Sequence, residues 1–204
     1  RLVSIETILS AFPKRRPPLP EEIKKIYAGE YKKNRSGGSP FSFLAQKLES
    51  WMHKKVSKAY GKQQQSDCST LEIGAGTLNQ LAYEEEVSNF DFVEPMQFLY
   101  VDSEYLSSVR HGFVDIEDID PGTKYDRIIS VAVLEHVEDL PRLLHESILR
   151  LADGGVFACG IPSEGGFLWG MAWRLTTGLE YRIRTGLRYS DLMRHEHLNQ
   201  AWEI

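Results

Sequence analysis

Glu72, Gly74 and Gly76 lie in the stretch TLEIGAG that begins at Thr70. Two glycines two apart, between an apolar run and a helix-like run, make a turn whose backbone lets a bulky ligand come close. The helix that follows offers free N–H groups. Glu94 follows Gly74 by 20 positions, 94 − 74, where a carboxylate accepts both hydroxyls of a ribose. Turn and acid together predict a nucleotide-like ligand, although Gly-x-Gly alone also fits a purely structural turn. A dinucleotide fingerprint would put a third glycine where Asn79 stands, and a small apolar residue where Glu72 stands.

Three histidines offer proton transfer. His136 sits in VLEHV, and His195 and His197 sit in RHEH. An imidazole titrates near neutrality, so each is a candidate general base. His136 equally suits packing of the loop before the next helix. His195, Glu196 and His197 raise the question of a metal, because two imidazoles can share an ion. The flanking sequence supplies no clear third ligand, and adjacent residues on a helix diverge. No metal is expected, and the pair is read as pocket lining or as a base.

The elements that must position these groups alternate. CSTLEI, NFDFVE, RHGFVD, YDRIISVAV and VFACGIP read as strands. LNQLAYEEE, PMQFLYVDSEYL and DLPRLLHESILRLAD read as helical, the last ended by Gly154 and Gly155. Such alternation predicts an α/β fold, a parallel sheet wrapped by helices, with ligands at the carboxyl ends of the strands. Ahead of it, PKRRPPLP is a linker, since four prolines in eight residues cannot hold a helix. PEEIKKIYAGEYKKNR opens like a helix. Ser39 caps a longer amphipathic one, with Phe41, Leu44, Leu48, Trp51, Met52 and Val56 as its apolar stripe and a solvated basic face at Lys47, Lys54, Lys55 and Lys58. Residues 1–60 are read as a linker and helical extension, and 61–204 as the main domain.

The 204 residues suffice for one domain and an appendage. A net charge of −5 argues against a general grip on nucleic acid. No apolar run approaches the roughly 20 residues of a membrane span, and no secretory leader is visible. Two cysteines, Cys68 and Cys159, make no disulfide framework. The expected setting is the reducing cytoplasm.

LEIGAG, FVEPM, VDIEDI, YDRIISVAVLEHVEDL and GGVFACGIP follow one another over roughly residues 67 to 162. In order and spacing they resemble the class I S-adenosylmethionine-dependent methyltransferases, in the branch with an LEH signature after strand four. The resemblance implies a Rossmann-like, doubly wound and mostly parallel sheet in the order 3-2-1-4-5. It implies S-adenosylmethionine as donor and S-adenosylhomocysteine as product. Glu72 would lie near the donor's amino acid moiety, Gly74 and Gly76 beneath the donor, Glu94 on the ribose, Asp115 and Ile116 at the adenine, and Val131 beside the methionine portion. The family often has a third glycine, which would fall at Leu78. Its sheet also has two more strands after VFACGIP. The chain is therefore expected to continue past Ile204, or else to have its edge covered by residues 163–198 or by a partner chain, as in a homodimer.

Methyl transfer from a sulfonium needs alignment and exclusion of water, and a base where the acceptor is a hydroxyl. The resemblance makes His136 the first candidate, with His195 and His197 on the acceptor side. SVAV after strand four lacks the Asn/Asp-Pro-Pro-aromatic loop that handles base amines, and neither cysteine suits attack on cytosine carbon. Residues 163–198 mix Phe167, Trp169, Trp173 and Tyr181 with Arg174, Arg182, Arg184 and Arg188. Aromatic faces with guanidinium groups suit a sugar or another small anionic acceptor, and equally suit packing beside solvated charges. Tyr27 and Tyr31 are read as packing, with a lid over the donor as the other reading. A nicotinamide-dependent oxidoreductase and a catalytically silent donor-binding scaffold remain the alternatives.

Overall fold

The five apolar runs form five strands: β1 (Thr70–Ile73), β2 (Phe90–Val93), β3 (His111–Phe113), β4 (Tyr125–Val131) and β5 (Leu151–Gly160). The computed structural model describes residues 5–18, 42–60, 68–85, 89–161, 182–183, 186, 195, 197–199 and 204. All strand pairs are parallel, in the order β3-β2-β1-β4-β5. This is the Rossmann-like order that the ordered motifs imply. The described helices are α1 (Ile5–Leu9), α2 (Ser42–Ser57) and α3 (Leu140–Arg150).

Two compact units divide the chain. One holds residues 1–50, 135–138 and 162–204. The other holds 51–134 and 139–161, and with them the whole sheet.

In the sheet unit, register decides which side chains share a face. Thr70 and Glu72 of β1 lie opposite Phe90 and Phe92 of β2 and opposite Arg127 and Ile129 of β4. On this face Phe90, Phe92, Ile129 and Val131 pack with Leu78, Leu81 and Val56, the last from the carboxyl end of α2. Each such side chain contributes roughly 1.5–3 kcal/mol on burial. Leu71 and Ile73 point to the other face and are buried too, which is why these strands read as continuous apolar runs. Met52 and Val56 of the predicted α2 stripe turn inward, together with His53, but Trp51 is 56% exposed. His53 Nδ1 lies 2.6 Å from Gln80 Oε1 and its ring stacks on Tyr83, so polar pairing displaces the tryptophan from the inner stripe. Lys54, Lys55 and Lys58 are exposed as expected.

Three predicted elements differ. LNQLAYEEE forms only a 3-10 turn, Asn79–Tyr83. Its Glu84 leaves the helical path, and the Glu84 carboxylate meets Arg127 Nη2 at 2.5 Å inside the unit. PMQFLYVDSEYL forms two short turns, Gln97–Leu99 and Leu106–Ser108. Helix α3 ends at Arg150 rather than at the glycine pair, and β5 begins at once at Leu151. Gly154 and Gly155 instead make a bulge: Tyr125 pairs with Leu151 but Arg127 pairs with Val156. Gly154 takes φ +78°, and a side chain at Gly155 would come within 2.9 Å of two carbonyl oxygens.

The helix expected over PEEIKKIYAGEYKKNR, the Ser39 cap, the side chains of Phe41, Leu44 and Leu48, and Tyr27 and Tyr31 fall outside the described residues. So does most of 163–198. Among the described residues no helix is long and apolar enough to cross a membrane.

Candidate functional site

The turn after β1 is a chain of backbone constraints. The N–H groups of Gly74 and Ala75 both donate to the Val93 carbonyl, at 2.8 and 3.3 Å, which ties the turn to the end of β2. Gly74 takes φ +71°, and an added Cβ would lie 2.4 Å from Val133 Cγ2. The glycine is therefore demanded by this chain's own packing. Gly76 takes φ +55°. Leu78, at the position of the family's third glycine, adopts the left-handed conformation itself, φ 64° and ψ 26°, while its side chain is wholly buried. A leucine thus holds a conformation that favours glycine, at a cost of about 1–2 kcal/mol. Ala132, just past β4, does the same at φ 54°.

Two acids frame this turn. Glu94 lies just past β2 and is buried; its carboxylate accepts from the Gly76 N–H at 2.8 Å and the Met96 N–H at 2.9 Å. A carboxylate offers about four lone-pair sites, so about two remain for a ligand. Glu72 is 2% exposed, and its Oε2 has no hydrogen-bond partner among the described residues. Burial holds its carboxyl well above the ordinary carboxylate range; the charges of Glu84 and Glu94 push the same way, and Arg127 opposes them. A buried polar atom without a partner is costly, and it points to a group the site is built to receive.

Asp115 is more occupied than the sequence suggests. It caps the turn Ile116–Asp118, accepting from the Glu117 N–H at 3.0 Å while its own N–H donates to Asp118 Oδ2 at 2.9 Å. Arg142 of α3 adds a fork, 3.2 Å from Asp115 Oδ2 and 2.8 Å from Glu117 Oε1. The hydrogen bond from Arg142 holds the Asp115 carboxyl below its usual range despite some burial, and the pair pushes Arg142 up. Arg142 was invisible as a partner in the sequence because it lies 27 residues away. Ile116 is buried, and Val131 ends β4 with its side chain in the core.

The other unit gathers the histidines differently from their sequence neighbourhood. His136 and His197 meet ring to ring at 4.8 Å between centroids, edge to face. Buried Glu135 joins them, 3.8 Å from His136 Nε2. His195, two residues from His197, hydrogen-bonds instead to the Pro17 carbonyl. Several contacts that end on backbone carbonyls support this arrangement. The Glu135 carbonyl accepts from the N–H groups of Leu198 and Asn199 at 2.8 and 3.0 Å. The Asn199 side chain donates to the Val137 carbonyl at 2.7 Å, and Arg16 donates to the His136 carbonyl at 2.9 Å. Glu196 falls outside the described residues. No local sequence pattern joins positions 135 and 197.

The family described as "Methyltransferase domain" matches residues 41–203. No curated protein matches the chain. Among solved structures, an S-adenosylmethionine-dependent methyltransferase from Thermotoga maritima, described as a possible histamine N-methyltransferase, has a TM-score of 0.51 at 18% identity, over 86% of this chain and 77% of that one. A plantazolicin methyltransferase solved with a substrate analogue and S-adenosylhomocysteine has a TM-score of 0.50 at 14% identity, over 87% and 63%. A sugar N-methyltransferase from Streptoalloteichus has a TM-score of 0.45 at 21% identity, over 74% and 58%. The chain spans 58% of that structure's length and 59% of two further matches, an amino pentose methyltransferase from Micromonospora echinaspora and a protein from Streptomyces venezuelae.

Proposed function

The chain belongs to the methyltransferase-domain family, and we propose from that premise that it moves a methyl group from S-adenosylmethionine to a small-molecule or sugar acceptor. One observation carries the reading of the donor: Glu72, buried, with Oε2 lacking a partner among the described residues. A second acid, Glu94, stands at the same turn with lone pairs to spare. A pair of acids at a glycine turn suits a ligand that carries ammonium and ribose hydroxyls. A dinucleotide site would instead take a small apolar residue where Glu72 stands and a third glycine where Asn79 stands. The residues present therefore fit S-adenosylmethionine, and the oxidoreductase reading fits them poorly.

When bound, the donor supplies a methyl group on a sulfonium, which an acceptor lone pair takes up as the carbon–sulfur bond breaks toward sulfur. The chain's own work is to hold and to deprotonate. Glu72 receives the ammonium end and Glu94 the ribose hydroxyls. Asp115 and Ile116 would face the adenine, Gly74 and Gly76 would lie beneath the donor, and Val131 would lie beside its methionine portion. If the acceptor atom is a hydroxyl oxygen, as we propose, a base takes its proton; His136, His195 and His197 are the candidates. The aromatic and arginine residues of 163–198 support a sugar-like or anionic acceptor. We also propose an N-terminal extension over 1–60 ahead of the domain, a cytoplasmic setting, and a second copy of the chain as a candidate partner.

Calorimetric titration with S-adenosylhomocysteine and, separately, with NAD tests the donor assignment. Saturable one-to-one binding of the first with no heat from the second is expected. The reverse result would establish the oxidoreductase reading, and silence toward both would overturn the donor site.

A further inference from the structure

We propose that Glu135, His136 and His197 form a binding site for a single divalent transition-metal ion. Each side chain offers one ligand atom, and the three atoms all lie within 4.8 Å of one another. Three ligands around one ion at about 2.0–2.2 Å stand roughly 3–3.5 Å apart, so closure takes about an ångström of side-chain rotation. The residues come from two segments about 60 positions apart in sequence, 197 − 136 = 61. A helical His-x-His pair cannot converge on an ion, and here it does not: His195 turns to the Pro17 carbonyl while His197 turns to His136.

Backbone bonds hold the ligand-bearing segments together without using the ligand atoms. The Glu135 carbonyl takes both the Leu198 and Asn199 N–H groups. Asn199 reaches back to the Val137 carbonyl, Arg16 holds the His136 carbonyl, and Lys14 Nζ holds the Leu198 carbonyl at 2.9 Å. Segments pinned in this way hold the three side chains near one another, which a metal site requires. Two imidazoles and one carboxylate select the ion. Imidazole favours zinc, iron, nickel, copper or cobalt, whereas magnesium and calcium prefer oxygen-only shells. One carboxylate and two neutral imidazoles also leave a divalent ion with a net positive charge, and three protein ligands leave coordination positions for water or an acceptor oxygen. An imidazole lone pair given to a metal is not available to a proton, so the metal and base roles exclude each other at His136 and His197 and leave the base role to His195.

Metal binding is read independently of methyl transfer, so either proposal can fail alone. The full chain, stripped with a chelator, is titrated with zinc and with cobalt(II), and its metal content is measured after gel filtration. We expect one equivalent of zinc, and a cobalt spectrum of nitrogen and oxygen ligation without a thiolate charge-transfer band. Glu135→Gln, His136→Ala and His197→Ala should each weaken zinc binding at least tenfold, while His195→Ala and the exposed His145→Ala should not. Melting curves of each variant check folding. Where a variant does not fold, the cobalt spectrum and stoichiometry of the unaltered chain decide. Absence of one-equivalent binding, a thiolate band, or binding lost in His195→Ala and retained in a folded His136→Ala would overturn the site.

Discussion

Asp91 and Glu72 are buried carboxylates on neighbouring strands of one sheet, one residue apart in register and pointing to opposite faces. Asp91 is surrounded by donors. Arg110 reaches it through Nε at 2.9 Å and Nη2 at 2.7 Å, the Tyr125 hydroxyl at 2.8 Å and the His111 N–H at 3.1 Å. Burial alone would raise its carboxyl, but the hydrogen bonds from Arg110 and Tyr125 win and it lies below its ordinary range. Glu72 is equally closed to solvent but lies deeper in the protein, and two further acids press on it, so burial wins and it lies well above. The difference separates an acid that finishes the fold from one that waits for a ligand. Solvent exposure and strand position alone do not distinguish them; the donors and the depth of burial together do.

Removing the finished acid should have the largest effect. Asp91→Ala leaves Arg110 and Tyr125 without their acceptor. Breaking a buried pair costs about 3–5 kcal/mol, and the low end is expected because Arg110 is partly open to water. Urea denaturation should show this loss with donor affinity unchanged. A loss below about 0.5 kcal/mol, the range of ordinary surface changes, would erase the contrast.

Glu94 stands between the two cases, since two backbone N–H groups hold it and lone pairs remain. Glu94→Ala should weaken S-adenosylhomocysteine by about tenfold to a hundredfold, the equivalent of roughly 1.5–3 kcal/mol for hydrogen bonds to a charged group. Calorimetry on the folded variant reads this directly, and unchanged affinity would remove Glu94 from the ribose.

Glu72→Gln should act with the opposite sign on the two properties. It replaces a carboxyl that must either bury a charge or take up a proton by a neutral amide, so stability without ligand rises at neutral pH, while donor affinity falls. The pH dependence sharpens this. The folded carboxyl of Glu72 titrates above its unfolded value of about 4.3, so the destabilisation is absent below that pH. It grows as pH rises and levels off above the folded value. The stability difference between Glu72→Gln and the parent should therefore vanish near pH 4 and widen toward neutrality. Asp91 runs the other way, contributing stability above its unfolded value of about 3.9 and losing it as pH falls through its lowered one. A difference that narrows with rising pH would contradict the assignment for Glu72.

The sheet was legible because its signal is local. FDFV and RIISV carry their own apolar continuity, and parallel strands buried on both faces must read that way. The turn residues 72, 74 and 76 were legible for the same reason. What escaped was non-local. LNQLAYEEE has the spacing of a helix, but Glu84 is drawn to Arg127, 43 residues on, and the left-handed Leu78 precedes a short 3-10 turn. Trp51 fits an apolar stripe that His53 occupies by pairing with Gln80. Gly154 and Gly155 look like a helix stop and are a bulge, since glycine marks both and only the register of β4 against β5 tells them apart. The meeting of His136 with His197 left no trace in either local sequence.

The contact between Gly74 and Val133 carries a consequence for inheritance. An added methyl at Gly74 collides with one residue's branched tip rather than with backbone. The two positions, 59 apart in the chain, 133 − 74, are in genetic language a suppressor pair. A lesion at the first can be relieved by trimming the second, with only the modest cost of a left-handed alanine left over, a conformation that Ala132 next door already holds. Drift in this lineage should therefore place a side chain at position 74 only where position 133 has shrunk, while position 133 can shrink alone.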